Sequence, residues 1–255
     1  MNSATSGGTI LITGASSGLG EEMARQFADL GYDLGLCARR VERLEALKAE
    51  IAKAHPDRRV ELRALDVNDD ESVFRVFKEI AAEFGTLDRV IINAGLGKGA
   101  PLGTGRYDAN RQTAMTNFVA ALAQTEAAME IFRAQGSGHL VMVSSISALR
   151  GMRKTITAYA ATKAGVAALA EGLINENVKA KGIDVSIIYP GYIMSEMNEK
   201  VAQKAKFMAD TKTGVKSMVD AIEKRKEKAY VPAWPWVPIG FALKHAPMSV
   251  VRKLV

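Results

Sequence analysis

The stretch TILITGASSGLGEEMARQF, residues 9–27, decides the fold. It runs from a short aliphatic segment, through a turn with the spacing Gly14-x-x-x-Gly18-x-Gly20, into a segment with helical period. Glycines allow a sharp turn and a close approach of the backbone to a phosphate, and the N-terminus of the following helix offers free N–H groups. This order predicts a pyrophosphate-binding turn, and an ordinary tight turn between strand and helix is the alternative.

Short apolar runs alternate with helical segments along most of the chain. Buried strands are predicted at 9–14, 33–38, 89–95, 139–145 and 184–191, and weaker edge strands at 60–66 and about 229–233. Helices are predicted at about 19–30, 41–54, 70–84, 109–135, 158–181 and 213–228. This alternation predicts an α/β protein with a Rossmann-type, doubly wound parallel sheet of about seven strands and helices on both faces. No repeat or linker interrupts the pattern, so we expect residues 1–255 to form a single domain.

The composition limits the classes of partner. The chain has 255 residues, a formal net charge of +6 and 48% hydrophobic residues, which is an ordinary globular balance. The basic residues are scattered and not interleaved with aromatic ones, so we expect no nucleic-acid partner. Cys37 is the single cysteine, and His55, His139 and His245 do not have the spacing of metal ligands, so we expect neither a disulfide nor a bound metal.

The two ends of the chain bear on localisation. Residues 1–8, MNSATSGG, lack the basic and apolar regions of a secretory signal, so we expect a cytoplasmic protein. The tail, residues 229–255, is apolar and carries Trp234, Trp236 and Phe241 near basic residues. We expect it to form an edge strand and short helices that pack on the sheet or on a partner subunit. A lid at a subunit interface or a peripheral membrane contact is the alternative.

The end of the second strand indicates which dinucleotide the chain binds. An acidic residue there would accept a hydrogen bond from a ribose 2′-hydroxyl, but the sequence reads CARRVERL, with Arg39 and Arg40 at that position. Guanidinium groups match phosphate oxygens in geometry and charge, which favours NADP(H) over NAD(H). Two solvated arginines at the start of a helix are the alternative.

Six short motifs follow one another between residues 13 and 195. They are TGASSGLG (13–20), NAG (93–95), Asn117, SS (144–145), YAATK (159–163) and PGYIMS (190–195). In this order and at about these distances they resemble the short-chain dehydrogenases/reductases, and the resemblance covers residues 9–195. It implies an NADP(H)-dependent oxidoreductase that transfers a hydride between the nicotinamide cofactor and a small carbonyl or alcohol substrate.

The resemblance also implies roles for individual residues. It places the pyrophosphate at the first turn and a 2′-phosphate at Arg39, with Arg40 assisting. It places the adenine and its ribose at the ends of the third and fourth strands, and the nicotinamide at the YAATK and PGYIMS motifs. The implied cofactor-binding residues are Gly14, Ser16, Ser17, Gly18, Leu19, Gly20, Arg39, Arg40, Asp66, Val67, Asn93, Ala94, Gly95, Tyr159, Lys163, Pro190, Gly191, Ile193 and Ser195. The implied catalytic residues are Asn117, Ser145, Tyr159 and Lys163.

The chemistry of carbonyl reduction suits these catalytic residues. Tyr159 would donate the proton to the developing alkoxide, which requires its pKa to fall from about 10 towards the working pH. Lys163 lies one helical turn further on the same face, and its positive charge favours the phenolate. Ser145 would bind the substrate oxygen, and the resemblance implies that Asn117 positions a water that connects the lysine to solvent.

One spacing departs from the family. Tyr159 follows Ser145 by 14 positions, and 13 is commoner in the family. Either the intervening loop holds one extra residue, or Ser144 or Ser147 contributes.

We expect the substrate pocket to be built from the loops 96–108 and 146–158 and from residues after Gly191. A substrate lid region is expected at about 194–228, in which residues 194–208 have the amphipathic character of a mobile lid.

Three functions compete. The leading one is reduction of a ketone or aldehyde, or the reverse oxidation of an alcohol. The second is reduction of a 3-oxoacyl thioester on an acyl carrier protein or CoA, which requires a basic patch that the sequence does not locate. The third is a dinucleotide-sensing protein without turnover, which the presence of Tyr159 and Lys163 disfavours.

The apolar tail and the long helix 109–135 predict a homodimer or homotetramer.

Overall fold

Seven parallel strands form the central sheet of the protein. The structure, a computed structural model, describes residues 7–197 and 207–254. The strands are β1 (Thr9–Thr13), β2 (Asp33–Ala38), β3 (Val60–Ala64), β4 (Arg89–Ile92), β5 (Gly138–Val143), β6 (Ile183–Pro190) and β7 (Lys228–Val231). Their order is β3-β2-β1-β4-β5-β6-β7, and each neighbouring pair is parallel. The predicted doubly wound sheet of seven strands is confirmed, with β3 and β7 at its edges.

The strand order reverses between β1 and β4. The chain first winds outward through β2 and β3 on one side, then returns and winds outward through β5, β6 and β7 on the other. The loops that follow β1 and β4 therefore diverge and leave a crevice at the carboxyl ends of these strands. In open parallel sheets, ligands bind in such a crevice.

Helices cover both faces of the sheet. The helices are α1 (Gly18–Asp29), α2 (Val41–Ala54), α3 (Asp70–Phe84), α4 (Tyr107–Ala114), α5 (Ala120–Gln135), α6 (Thr157–Asn175), α7 (Thr211–Glu223), α8 (Ala233–His245) and α9 (Met248–Leu254). Successive strand residues point to opposite faces. Ile10 and Ile12 accordingly pack against α1, α2 and α7, whereas Leu11 packs against α3 and α5. The central strands β1, β4 and β5 are buried along their whole length, which explains why they are largely apolar and not alternating, whereas the edge strands β3 and β7 are partly exposed.

Two predicted helices differ in detail from the observed ones. The predicted helix 109–135 is α4 and α5 joined by a π-helical turn (Met115–Val119). The predicted helix 158–181 ends at Asn175, because Asn177 adopts a left-handed backbone (φ 53°) that an α-helix does not accommodate. A short 3₁₀ turn (Val178–Lys181) follows. The predicted helix 213–228 is α7, and it ends at Glu223 before β7 begins.

The tail forms the predicted edge strand and two short helices. None of the helices within 7–197 and 207–254 is long and apolar enough to cross a membrane. Residues 194–197 and 207–210 of the predicted lid are described and are not helical, and α7 forms its later part. The remainder of the predicted amphipathic segment, 198–206, lies outside the described residues.

Candidate active site

A cleft lies at the carboxyl ends of β1, β4, β5 and β6, at the reversal of strand order. It brings together most of the predicted site residues, although they come from seven separate parts of the chain. The predicted residues that line it are Gly14, Ser16, Ser17, Gly18, Leu19, Arg39, Arg40, Val67, Asn93, Ala94, Gly95, Ser144, Ser145, Tyr159, Lys163, Pro190, Gly191, Ile193 and Ser195.

The glycine turn adopts the geometry that a phosphate requires. Gly14 and Gly18 have φ values of 67° and 58°, a left-handed conformation that side chains disfavour. Gly20 does not line the cleft, and its role is packing: a Cβ there would lie 2.4 Å from the carbonyl oxygen of Gly14. The Ser17 side chain does not cap α1, so the N–H groups of the first turn remain available to an anion at the positive helix end.

Arg40, and not Arg39, is fixed against this turn. The Arg40 guanidinium donates from Nη2 to Ser17 Oγ at 2.6 Å and from Nε to Ser16 Oγ at 3.3 Å. Arg39 lines the same end of the cleft but is exposed. The sequence interpretation gave Arg39 the leading role. The geometry gives Arg40 the better-defined position, because its side chain is held by two hydroxyls.

The ends of β1 and β4 are joined by hydrogen bonds through Thr13 and Asn93. The Thr13 hydroxyl accepts from the N–H groups of Asn93 and Ala94 at 3.1 and 3.2 Å, and Asn93 Nδ2 donates to the Thr13 carbonyl at 3.0 Å. These bonds hold the crevice at a fixed width. Thr13 opens the TGASSGLG motif, but the sequence interpretation gave it no role, because its bonds to Asn93 and Ala94 join segments far apart in the chain.

Asn117 lies in the π-helical turn and is buried beside the cleft without lining it. Its Oδ1 accepts from the Leu96 N–H at 2.8 Å, and its Nδ2 donates to the Leu96 carbonyl at 2.9 Å. A Cβ on Gly95 would lie 3.2 Å from Asn117 Oδ1 and 3.5 Å from Lys163 Nζ. Asn117 therefore holds the 93–97 loop next to the lysine. π-helical turns often occur at functional sites.

Tyr159 and Ser145 meet at the inner end of the cleft. The Ser145 side chain hydrogen-bonds the Tyr159 phenol. Burial raises the pKa of Tyr159, and the Ser145 hydrogen bond opposes this rise. The expected fall of this pKa is therefore not found in the protein alone. The phenol is accordingly in its neutral, proton-donating form at neutral pH.

Lys163 is one turn along α6 from Tyr159, as the spacing predicts. Its Nζ donates to the Val143 carbonyl at 2.9 Å, at the end of β5. Burial lowers the pKa of Lys163 to about 8. The ammonium is thus held in the cleft wall near its titration point.

The structure distinguishes the three candidate serines by their contacts. Ser144 Oγ donates to the Lys163 carbonyl at 2.8 Å and so joins β5 to α6. Ser145 Oγ faces Tyr159 and accepts from the Ser147 N–H at 3.2 Å. Ser147 does not line the cleft. The loop between Ser145 and Tyr159 contains two short 3₁₀ turns.

Residues 195–197, which we call the strap, cross the cleft from β6 to its other walls. Ser195 contacts the glycine turn, since a Cβ on Gly18 would lie 3.2 Å from Ser195 Cβ. Glu196 pairs with Arg40 and Arg43. Met197 packs on the loop after β4, where a Cβ on Gly97 would lie 2.7 Å from Met197 Cγ. Three consecutive residues thus touch three different walls.

Other residues of the cleft were not predicted. Asn68 and Thr116 line it and are joined by a hydrogen bond of 3.1 Å between Thr116 Oγ1 and Asn68 Oδ1. The predicted Asp66 does not line the cleft, and its carboxylate instead accepts from the backbone and side chain of Asn68 at 3.0 and 2.9 Å. Asp66 therefore shapes the loop that presents Val67 and Asn68. Leu96, Glu196 and Met197 are further lining residues without a motif.

The tail packs behind the segments that carry Ser145 and Tyr159. Trp236 and Leu243 of α8 form a small apolar cluster with Ile146 and with Ala160, the residue after Tyr159. Gly191 makes room for this packing, because a Cβ there would lie 2.0 Å from the Trp236 ring. The inner face of α8 therefore supports the two segments that carry Ser145 and Tyr159.

The chemistry of the cleft fits a dinucleotide. Free N–H groups at α1 and the guanidinium of Arg40 suit phosphates, and the hydroxyls and ammonium at the inner end suit a ribose and a reacting carbonyl. Within the described residues, no group of three or more His, Cys, Asp or Glu side chains is arranged to hold a metal ion.

The fold and the site define a short-chain dehydrogenase. The family model for short chain dehydrogenase matches residues 8–206, and the chain belongs to this family. An uncharacterised oxidoreductase of Mycobacterium tuberculosis is 52% identical over 244 residues, which cover 96% of each chain.

Solved structures show the same fold with either cofactor. A short-chain dehydrogenase from Sphingobium yanoikuyae in complex with NADPH has a TM-score of 0.81 and 25% identity, covering 96% of this chain and 95% of that one. A short-chain dehydrogenase/reductase from Burkholderia phymatum in complex with NAD has a TM-score of 0.83 and 20% identity, with the same coverage. The chain is therefore an oxidoreductase of this family, and the fold alone does not select between the two cofactors.

Proposed function

We propose that the protein is an NADP(H)-dependent oxidoreductase that interconverts a carbonyl compound and its alcohol, with Tyr159 as the general acid and base. The observation that carries this proposal is the meeting of Tyr159, Ser145 and Lys163 at one end of a dinucleotide-shaped cleft. The bound nicotinamide would supply or accept the hydride. The chain's own residues orient the substrate and move the proton.

The proton path begins at Tyr159. In the reducing direction, the neutral phenol donates its proton to the carbonyl oxygen as negative charge develops there, and Ser145 donates a second hydrogen bond to the same oxygen. Lys163 would hold the nicotinamide ribose and stabilise the resulting phenolate by its charge. Asn117 positions the loop against which the lysine rests.

The arginines at the other end of the cleft support NADP(H). Arg40 is oriented by Ser16 and Ser17 toward the place where the end of β2 meets the glycine turn. The sequence has Arg39 and Arg40 after Ala38, in place of the carboxylate at the end of β2 that would accept a hydrogen bond from a free 2′-hydroxyl. The adenine end is therefore suited to a 2′-phosphate.

A panel assay tests the proposal. NADPH consumption is followed optically with ketones, aldehydes and 3-oxoacyl thioesters, with NADH in parallel and the Tyr159→Phe variant as control. We expect turnover of at least one carbonyl class with NADPH, a higher kcat/KM than with NADH, and loss of turnover in the variant. Tight NADPH binding without turnover of any carbonyl would instead identify a dinucleotide sensor.

One observation favours the 3-oxoacyl thioester as a second candidate substrate. The loops 96–108 and 146–158 touch, since a Cβ on Gly99 would lie 2.0 Å from the Thr155 carbonyl oxygen. Lys98, Arg153 and Lys154 are exposed on these touching loops. This is a basic patch that the sequence alone did not locate, and it would suit the phosphates of CoA or an acidic carrier protein. Faster turnover of a thioester than of its free ketone analogue would support this candidate.

Oligomeric state and localisation remain predictions. The outer face of α8 exposes Trp234 and Phe241, at 78% and 68% of their surface. We propose a cytoplasmic homodimer or homotetramer, with peripheral membrane contact as the alternative. Light scattering after size exclusion measures the subunit number. Flotation with anionic liposomes, for the full chain and for a Trp234→Ser, Phe241→Ser variant, tests the membrane contact.

A further inference from the structure

A carboxylate of the strap binds two arginines at the adenosine end of the cleft. Arg40 Nη1 lies 3.2 Å from Glu196 Oε2, and Arg43 Nη1 hydrogen-bonds Glu196 Oε1. The three side chains are partly exposed, at 40%, 47% and 52% for Arg40, Arg43 and Glu196. Arg43, and then Arg40, lowers the pKa of Glu196, so its carboxylate is ionised at neutral pH.

The same arginines stand where a 2′-phosphate would bind. Arg40 is held at the mouth of the glycine turn by Ser16 and Ser17, and Arg43 is one helical turn further along α2. A guanidinium offers its N–H donors to a carboxylate or to a phosphate in the same bidentate geometry. An anion on the ribose 2′-oxygen and the Glu196 carboxylate would therefore compete for one set of donors.

We propose that Glu196 is a specificity-determining residue, whose carboxylate competes with the 2′-phosphate of NADP(H) for Arg40 and Arg43. This inference rests on the proposed NADP(H) preference. The competition weakens binding of nucleotides that carry a 2′-phosphate and leaves nucleotides with a free 2′-hydroxyl unaffected, because an uncharged hydroxyl does not displace the carboxylate. Glu196 thus narrows the preference of the site for NADP(H) over NAD(H).

The competition also connects cofactor binding to the substrate side of the cleft. Glu196 lies between Ser195, which touches the glycine turn, and Met197, which packs on Gly97. When a 2′-phosphate takes the arginines, the strap loses its contact with α2 and keeps its contacts on either side. Met197 therefore connects Glu196 to the loop that follows β4.

Binding of two small nucleotides tests the competition without turnover. Dissociation constants for 2′,5′-ADP and 5′-AMP are measured by calorimetry on the wild type, on Glu196→Gln and on Glu45→Gln. Glu45 is an exposed carboxylate on the same helix as Arg43 and serves as the matched charge control. Glu196→Gln removes the charge that pairs with Arg40 and Arg43. Because that ion pair is partly exposed and screened by solvent, 2′,5′-ADP binding should tighten by about three- to fivefold. Binding of 5′-AMP should stay unchanged, and Glu45→Gln should change 2′,5′-ADP binding by less than about twofold.

The outcomes separate this inference from the proposed function. If the wild type binds 2′,5′-ADP more tightly than 5′-AMP and Glu196→Gln shows the same or a smaller preference, the competition is overturned. The NADP(H) assignment then still stands. Equal binding of the two nucleotides by the wild type and by Glu196→Gln overturns both. A selective gain for 2′,5′-ADP in Glu196→Gln alone supports the competition.

Discussion

Polar side chains are buried at both ends of the central strands, and the two ends differ in how those side chains are used. At the amino end, the Arg89 guanidinium donates to His139 Nδ1 at 3.0 Å and to Glu223 at 2.6 Å, and it stacks on Phe27 and Tyr32. At the carboxyl end, Tyr159, Ser145 and Lys163 line an open cleft. The first group bonds chiefly to itself, and the second presents its groups to a ligand.

The difference is visible in two buried bases. The pKa of His139 falls to about 3, mainly through burial and with a further contribution from Arg89, so the ring is neutral. Its Nδ1 accepts from Arg89, and its Nε2 therefore carries the proton and donates to Ser186 Oγ at 2.8 Å. The pKa of Lys163 falls only to about 8, which is close to a working pH. Burial alone does not mark a functional site, and orientation toward a cleft does.

The largest expected effect is on chemistry at the carboxyl end. The Tyr159→Phe variant removes the proposed proton donor, and we expect kcat for carbonyl reduction to fall by about 10²- to 10⁴-fold. The dissociation constant for NADPH should change by less than about threefold, because the ring remains and only a hydroxyl is lost. Tyr230→Phe, on the edge strand β7, is the matched control and should keep wild-type kcat. Full activity in Tyr159→Phe would remove the tyrosine from the mechanism.

The next largest effect is on stability at the amino end. Arg89→Met keeps the apolar stem but leaves His139 Nδ1 without its donor and Glu223 without its cation. We expect the free energy of unfolding to fall by about 2–4 kcal/mol. Urea denaturation measures this, and kcat of the folded variant should be unchanged. The exposed pair of Arg75 and Glu79 gives the control, since Arg75→Met should cost less than about 0.5 kcal/mol.

The buried histidine predicts a dependence of stability on acid. Its folded pKa of about 3 lies below its unfolded value of about 6.5, so the unfolded chain binds the extra proton between these values. The stability that neutral His139 provides is complete above pH 6.5 and is lost as the pH falls toward 3. Wild-type protein should therefore lose stability relative to His139→Gln as the pH falls. The difference in unfolding free energy between the two should narrow by about 3 kcal/mol between pH 7 and pH 4. Denaturation at both pH values measures the gap, and a constant gap would contradict the assigned pKa.

The smallest of these effects concerns binding at the adenosine end of the cleft. Arg40→Gln should weaken 2′,5′-ADP about tenfold, because charge-assisted hydrogen bonds to a phosphate are lost. Arg39→Gln should weaken it less, since Arg39 is exposed and unconstrained by the serines. Calorimetry on both variants ranks the two arginines. A larger effect at Arg39 would restore the order that the sequence suggested.

Local sequence was sufficient for most of the fold. The strands are short and aliphatic because both faces of a parallel sheet are buried, and that pattern is readable without the structure. The glycine turn and the YAATK spacing are also local, since both depend on residues within one or two turns of each other. The predicted helix 158–181 is longer than the observed helix, which ends at Asn175. Hydrophobic periodicity did not predict this end, because it carries no sign of the left-handed backbone at Asn177.

Contacts between distant segments could not be predicted. Glu196 lies more than 150 positions from both arginines that bind it, and no motif joins them. Arg39 and Arg40 are neighbours in sequence, yet Ser16 and Ser17, more than 20 positions away, hold Arg40 alone. The support of Ser145 and Tyr159 by Trp236 likewise depends on how the tail folds back, which residue types alone do not specify.

The π-helical turn at Met115–Val119 has a consequence for insertions and deletions in this chain. Each residue of an α-helix advances its side chain by about 100° around the axis, so one residue more or less rotates one half of the helix against the other. Asn117 must face the Leu96 backbone while Phe132 faces the core. A single deletion within 115–119 would turn one of the two away. The π-helical turn thus fixes how the half of the helix that carries Asn117 is rotated relative to the half that carries Phe132.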